Sequence, residues 1–105
     1  MVSIKVVYEI DDDQLASLVK FLTAFPHLKS LQLKSPMITD TGALHLKVLT
    51  QLHSLSLEQA AITDVGLMDL KALSGLEELN LKGTKVSDAG VEEFRKVLPA
   101  VKVPR

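Results

Sequence analysis

The segment from Leu28 to Gln51, LKSLQLKSPMITDTGALHLKVLTQ, is written twice more in the chain, as LHSLSLEQAAITDVGLMDLKALSG and LEELNLKGTKVSDAGVEEFRKVLPA. Leu28, Leu52 and Leu76 stand 24 residues apart, as do Leu31, Leu55, Leu79 and Leu33, Leu57, Leu81. A fixed period in the twenties means successive copies of one supersecondary unit, each with an apolar face that only a neighbouring copy can cover. Such units are stable only as a stack.

Within a unit, L-x-x-L-x-L predicts a short strand whose alternating leucines face one side. Ile38, Ile62 and Val86 supply an apolar plug where the chain turns. Ala43, Leu46 and Leu49, then Leu67, Leu70 and Leu73, then Val91, Phe94 and Val97 are spaced three apart, which predicts the buried face of a returning helix. Thr39-Asp40, Thr63-Asp64 and Ser87-Asp88 stand immediately before these patterns, where short side-chain oxygens satisfy free helix amides. Gly42, Gly66 and Gly90 follow at positions that predict close packing or special dihedrals.

The first unit is irregular. Residues 2–10 alternate, with Ile4, Val6, Tyr8 and Ile10 on one face and Ser3, Lys5, Val7 and Glu9 on the other, which predicts a strand. Asp11, Asp12 and Asp13 then cap a helix whose apolar positions are Leu15, Leu18, Val19, Leu22 and Phe25, with Pro26 as its stop. At the other end the last unit runs one residue longer through Leu98 and Pro99, and VKVPR ends where another strand would begin. Pro104, without an amide donor, is expected to blunt strand pairing at that edge. The expected organisation is one domain over 1–105. It has a strand-helix cap at 1–27, repeats at 28–51, 52–75 and 76–100, and a terminal segment at 101–105.

Composition narrows the functions open to such a stack. Of 105 residues, 47% are hydrophobic and 4% aromatic, so the core is aliphatic. The net charge of −1 lacks the basic footprint that phosphate backbones or anionic lipids require, which argues against nucleic-acid and membrane partners. Without cysteine there are no disulfides, thiolate metal sites or cysteine nucleophiles. The N-terminus has no apolar run of signal-peptide type, which points to a cytoplasmic location.

The pattern L-x-x-L-x-L-x-x-x-x-[IV]-[TS]-D-x-G resembles the leucine-rich repeat family, strongly over 28–105 and loosely over the cap. The Thr-Asp or Ser-Asp pairs with Gly42, Gly66 and Gly90 resemble the ITDxGL subtype of tandem bacterial repeat proteins, and FRKVLPAVKV resembles the tail of such arrays. The resemblance implies an α/β fold: a right-handed β/α solenoid, a parallel sheet on its concave side, helices on its convex side and a protein-binding role. The chain departs from the family at Pro36, Ala60 and Thr84, where many members place Asn or Cys. Of these only Thr84 can bond backbone inside the turn, so a continuous polar ladder through these positions is not expected.

Asp40, Asp64 and Asp88 could be read as a row of catalytic or metal-binding carboxylates, but their place before helical patterns favours capping. His27, His45 and His53 fall in a loop, on the outer helix and at a strand start, so they do not converge on a metal or a nucleophile. Ser54 and Ser56 lack a histidine base in a nucleophile-elbow context. No cofactor and no enzymatic activity are expected.

The outward strand positions form three expected columns: Lys5, Ser30, Ser54, Glu78; then Val7, Gln32, Ser56, Asn80; then Glu9, Lys34, Glu58, Lys82. The third alternates in sign, which predicts cross-strand neutralisation. These positions, with the turns at Pro36, Met37, Gln59, Ala61 and Lys85, are the candidate surface for a protein partner, although Trp, Tyr and Arg anchors are absent there. Leu44, Val48, Met68 and Ala72 form a second apolar stripe, read first as packing between helices and second as a convex contact. With Phe21 on the cap, it allows a weak homodimer. The ends differ in charge, acidic at Glu9 and Asp11 to Asp13 and basic at Lys85, Arg95, Lys96, Lys102 and Arg105, which makes head-to-tail association conceivable, but Pro104 and the capping task of Asp11 to Asp13 argue against it. The sequence therefore predicts a non-catalytic protein-protein interaction module, the alternative being a structural or self-associating protein that uses the cap or the convex stripe.

Overall fold

The computed structural model describes residues 2–5, 9–25 and 27–104. Its elements alternate strand and helix: β1 (Val2–Lys5), α1 (Asp12–Leu22), β2 (Leu28–Lys34), α2 (Asp40–Leu46), β3 (Ser54–Glu58), α3 (Asp64–Asp69), β4 (Glu78–Asn80) and α4 (Asp88–Val97). A short 3-10 turn, Leu70–Ala72, extends α3. The four strands pair in parallel in sequence order, β1-β2-β3-β4.

The repeat places its leucines as expected. Leu31, Leu55 and Leu79 pair in register across β2, β3 and β4, and Leu33 pairs with Leu57. All are buried, together with Leu46, Leu49, Leu67, Leu70, Leu73 and Phe94 from the helical side. Ile38 and Ile62 are buried in the turns, and Val86 packs half-buried against the same core. One leucine-rich layer thus sits between sheet and helices, and its exclusion from water is the main stabilising term.

Several expectations are corrected. Val97 is half exposed, because the extra residue in the last unit lets Leu98 take the inward place. Phe25 is also exposed; it lies past the end of α1 and packs against Phe21 with ring centroids 5.1 Å apart and planes tilted by 59°. β1 is described over Val2–Lys5, while Glu9 lies outside any strand and Ile10 is buried ahead of α1. Val6, Val7, Tyr8, Pro26 and Arg105 lie outside the described residues.

Pro104 acts differently from the expected edge breaker. Lys102 bridges Glu78: its N–H donates to the Glu77 carbonyl at 2.9 Å and its carbonyl accepts from Leu79 N–H at 2.7 Å. Two residues on, the Pro104 carbonyl accepts from Leu81 N–H at 2.8 Å. Alternate residues face the same neighbour, so the missing donor of Pro104 faces β4 and the backbone of Val103 faces outward. The terminal segment therefore extends the sheet, and the proline does not blunt its outer edge.

Candidate functional site

The Thr/Ser-Asp pairs divide their work between two units. The N-caps are Thr39, Thr63 and Ser87, whose hydroxyl oxygens accept from Thr41 N–H at 3.3 Å, Val65 N–H at 3.2 Å and Gly90 N–H at 3.0 Å. Of the aspartates that follow, Asp40 and Asp64 reach into the next unit, while the Thr hydroxyls cap their helices. Asp40 accepts from the Thr63 amide at 2.8 Å, the Thr63 hydroxyl at 2.7 Å and the Gly66 amide at 3.1 Å. Asp12 accepts in the same way from the amide and hydroxyl of Thr39, and Asp64 from those of Ser87 at 2.8 and 2.6 Å. Each hydroxyl donates backward to a carboxylate while accepting from its own helix, a double task open to Thr or Ser but closed to an ionised Asp.

The glycines belong to the same device. A Cβ added to Gly42 would lie 2.6 Å from Asp12 Oδ1, and one on Gly66 would lie 2.5 Å from Asp40 Oδ1. Gly90 meets Asp64 likewise. The cap confirms this logic by exception. Asp11 is the N-cap of α1, its carboxylate accepts from Gln14 N–H at 2.8 Å, and Gln14 Oε1 accepts from Asp11 N–H at 3.0 Å. Gln14 stands where the later units have glycine, and no aspartate of an earlier unit presses on it. A polar ladder does run through the chain, then, but through Asp12, Asp40 and Asp64 and not through positions 36, 60 and 84. Thr84 makes only a local bond to the Leu81 carbonyl at 2.7 Å.

This interlocked stack holds the outward face of the sheet. Ser54 lies between Ser30 and Glu78, Ser56 between Gln32 and Asn80, and Glu58 beside Lys34. The cap is set two residues away from the expected register: Ser3 pairs with Ser30 and Lys5 with Gln32, after a bulge at Val2 and Ser3. The link that sets the cap spans 27 residues from Asp12 to Thr39, against 23 from Asp40 to Thr63, so the 24-residue spacing does not extend to it.

The candidate residues differ in availability. Gln32, Lys34, Glu78 and Lys82 are exposed, and Ser54, Ser56, Glu58 and Asn80 are half-buried. Ser30 is only 7% exposed and offers a partner little. Asn80 is engaged at both ends of its amide, its Nδ2 donating to Glu58 Oε1 at 2.9 Å and its Oδ1 accepting from Lys82 N–H at 3.0 Å. The expected cross-strand neutralisation is absent: among the described residues neither Lys34 nor Lys82 forms an ion pair with Glu58. Lys82 lies beyond β4, where its carbonyl accepts from Gln59 N–H at 2.8 Å.

The turn beside this face adds a feature that composition does not show. Gln59 has φ 65°, the left-handed region that costs a residue with a Cβ about 1–2 kcal/mol. Its counterpart 24 residues on is Gly83, at φ 76°, where the strain vanishes. Met37 is exposed on the neighbouring turn.

The histidines stay apart, although His53 does gain a carboxylate, with Nδ1 3.7 Å from Glu77 Oε2. Among the described residues no group of three or more His, Cys, Asp or Glu could hold a metal, and no helix is long and apolar enough to cross a membrane. Away from the sheet face, on α4, the bond from Lys96 and then its charge hold the Glu93 carboxyl below its ordinary value, and Lys96 is raised in return.

Among curated proteins, none matches the chain. Residues 75–94, which run from the end of the second repeat through β4 and most of α4, match the family model described as Leucine Rich repeat.

Proposed function

We propose that this chain is a non-catalytic protein-binding module built as a single right-handed β/α solenoid of the ITDxGL leucine-rich-repeat type. In this reading the concave face of its parallel sheet, with the adjoining turns, is the contact surface. The match of residues 75–94 to the Leucine Rich repeat model supports the interaction role. The observation that carries the choice of face is the set Gln32, Lys34, Ser56 and Lys82, whose side chains engage no intramolecular partner among the described residues. Gln32, Lys34 and Ser56 stand on the parallel strands β2 and β3, about 4.8 Å apart from one strand to the next, and Lys82 follows β4. Glu78 extends the set, while Ser30 and Asn80 serve it as structure. A rigid backbone limits the entropy lost on binding, so side-chain identity sets partner choice. Gln59, held in a strained conformation at the rim, fits a turn retained for contact.

The test is affinity capture from a source lysate, comparing the wild-type chain with a Gln32→Ala, Lys34→Glu, Ser56→Ala variant. Proteins retained by the wild type should be lost from the variant at unchanged circular dichroism. Retention of the same set by both would refute the choice of face.

A further inference from the structure

Packing between neighbouring helices covers only part of the second apolar stripe. Met68 is drawn against the core, while Leu44, Val48 and Ala72 stay open to solvent with no charge pattern to select a partner. The strand-exit rim of the sheet does carry such a pattern. Lys34 ends β2, and Lys82 and Lys85 flank the turn at Gly83; all three are exposed, and among the described residues none forms an ion pair. The carboxylates at this end are Glu58, in register with Lys34, and Glu9, which precedes the Ile10 carbonyl that accepts from the Ser35 hydroxyl. Glu58 is held in place: Asn80 Nδ2 donates to its Oε1 at 2.9 Å, and Asn80 Oδ1 accepts in turn from Lys82 N–H at 3.0 Å. The Gln59 N–H donates to the Lys82 carbonyl at 2.8 Å, which closes the ring.

We infer that Asn80 is a positioning residue that holds the Glu58 carboxylate back from Lys34 and Lys82, leaving both ammonium groups to an acidic segment of a protein partner. The inference rests on the sheet face being the contact surface and names the class of its partner. Lys34 is one strand spacing from Glu58, so without the Asn80 amide the two side chains pair and the cation is neutralised. With Asn80 in place, Lys34, Lys82 and Lys85 present unpaired positive charge to the carboxylates of the segment. Glu58 keeps its own charge and turns away a carboxylate from the middle of the row. The segment therefore sets acidic groups on Lys34 and on Lys82 and Lys85, with none between.

Nuclear magnetic resonance titration with an acetylated, amidated hexaglutamate peptide at low ionic strength tests this. Saturable shifts are expected at Lys34, Lys82 and Lys85, with a Kd at or below about 1 mM that rises with salt. Lys34→Glu combined with Lys82→Glu should weaken binding at least about tenfold, whereas Lys47→Glu, at the end of α2, should leave it within about twofold. Asn80→Ala should weaken it about threefold by releasing Glu58 to Lys34, and adding Glu58→Gln should restore it, a rescue that a merely structural Asn80 would not show. Glu58→Gln alone keeps the oxygen that accepts from Asn80 and should tighten binding, which decides the matter if circular dichroism shows Asn80→Ala unfolded. Absence of saturable binding, no rescue by Glu58→Gln, or equal binding of a thymidine oligonucleotide of the same charge overturns the inference. If hexaglutamate fails while lysate capture is still lost from the Gln32→Ala, Lys34→Glu, Ser56→Ala variant, the face stands and only its partner class falls.

Discussion

Asp40 accepts both the backbone amide and the hydroxyl of Thr63, 23 residues away, at 2.8 and 2.7 Å. One carboxylate therefore fixes where the next helix begins relative to the one before it, and the same link recurs at Asp12–Thr39 and Asp64–Ser87. The register of the sheet face, and with it the spacing of the candidate contact residues, rests on these links as much as on the leucines.

Removing that carboxylate should be costly. Asp40→Ala strips three hydrogen bonds to a charged group from partly buried donors, for an expected loss of about 2–3 kcal/mol. Asp13→Ala, at an exposed position in the first turn of α1, should cost under about 1 kcal/mol. Urea unfolding of both variants checks the contrast.

Gly66→Ala should destabilise, although alanine ordinarily favours a helix over glycine by about 1 kcal/mol. The new methyl would lie 2.5 Å from Asp40 Oδ1 and 3.0 Å from Ile62 Cγ2. Adding Asp40→Ser relieves the nearer clash, so the double variant should lose less than the sum of the two single losses. Strict additivity in a double-mutant cycle would count against the contact.

Gln59→Gly should stabilise. Relief of the left-handed strain exceeds the extra freedom given to the unfolded chain, for a net gain of about 0.5–1 kcal/mol. Thermal unfolding should show Tm raised by about 3–6 °C. If the strained turn contacts a partner, capture should weaken in the same variant.

Asn80 and Gln32 should separate structure from recognition. Asn80→Ala loses the bonds to Glu58 and to the Lys82 amide and should cost about 1–2 kcal/mol. Gln32→Ala, on the exposed face of β2, should stay within about 0.5 kcal/mol of wild type. Chemical denaturation of the two variants measures the difference.

The sequence by itself determined the unit. The 24-residue spacing places Leu31, Leu55 and Leu79 in register, and the apolar period locates α2, α3 and α4, because both signals are local and each copy repeats them. That the Thr-Asp and Ser-Asp pairs stand at helix starts was legible for the same reason, but the sequence favoured the aspartates as caps, and it is Thr39, Thr63 and Ser87 that hold them. Tertiary structure alone decided what passes between units: that Asp40 serves the next helix and not its own, that Gly66 is small for the sake of Asp40, and that the terminal segment extends the sheet with Pro104 turned inward. It also decided which candidates on the sheet face are free, burying Ser30 and engaging Asn80 while leaving Gln32 and Lys34 open. The cap register escaped the sequence because an alternating strand pairs equally well at a two-residue offset. The long-range bonds from Thr39 to Asp12 and from the Ser35 hydroxyl to the Ile10 carbonyl, with the burial of Ile10, select one of them.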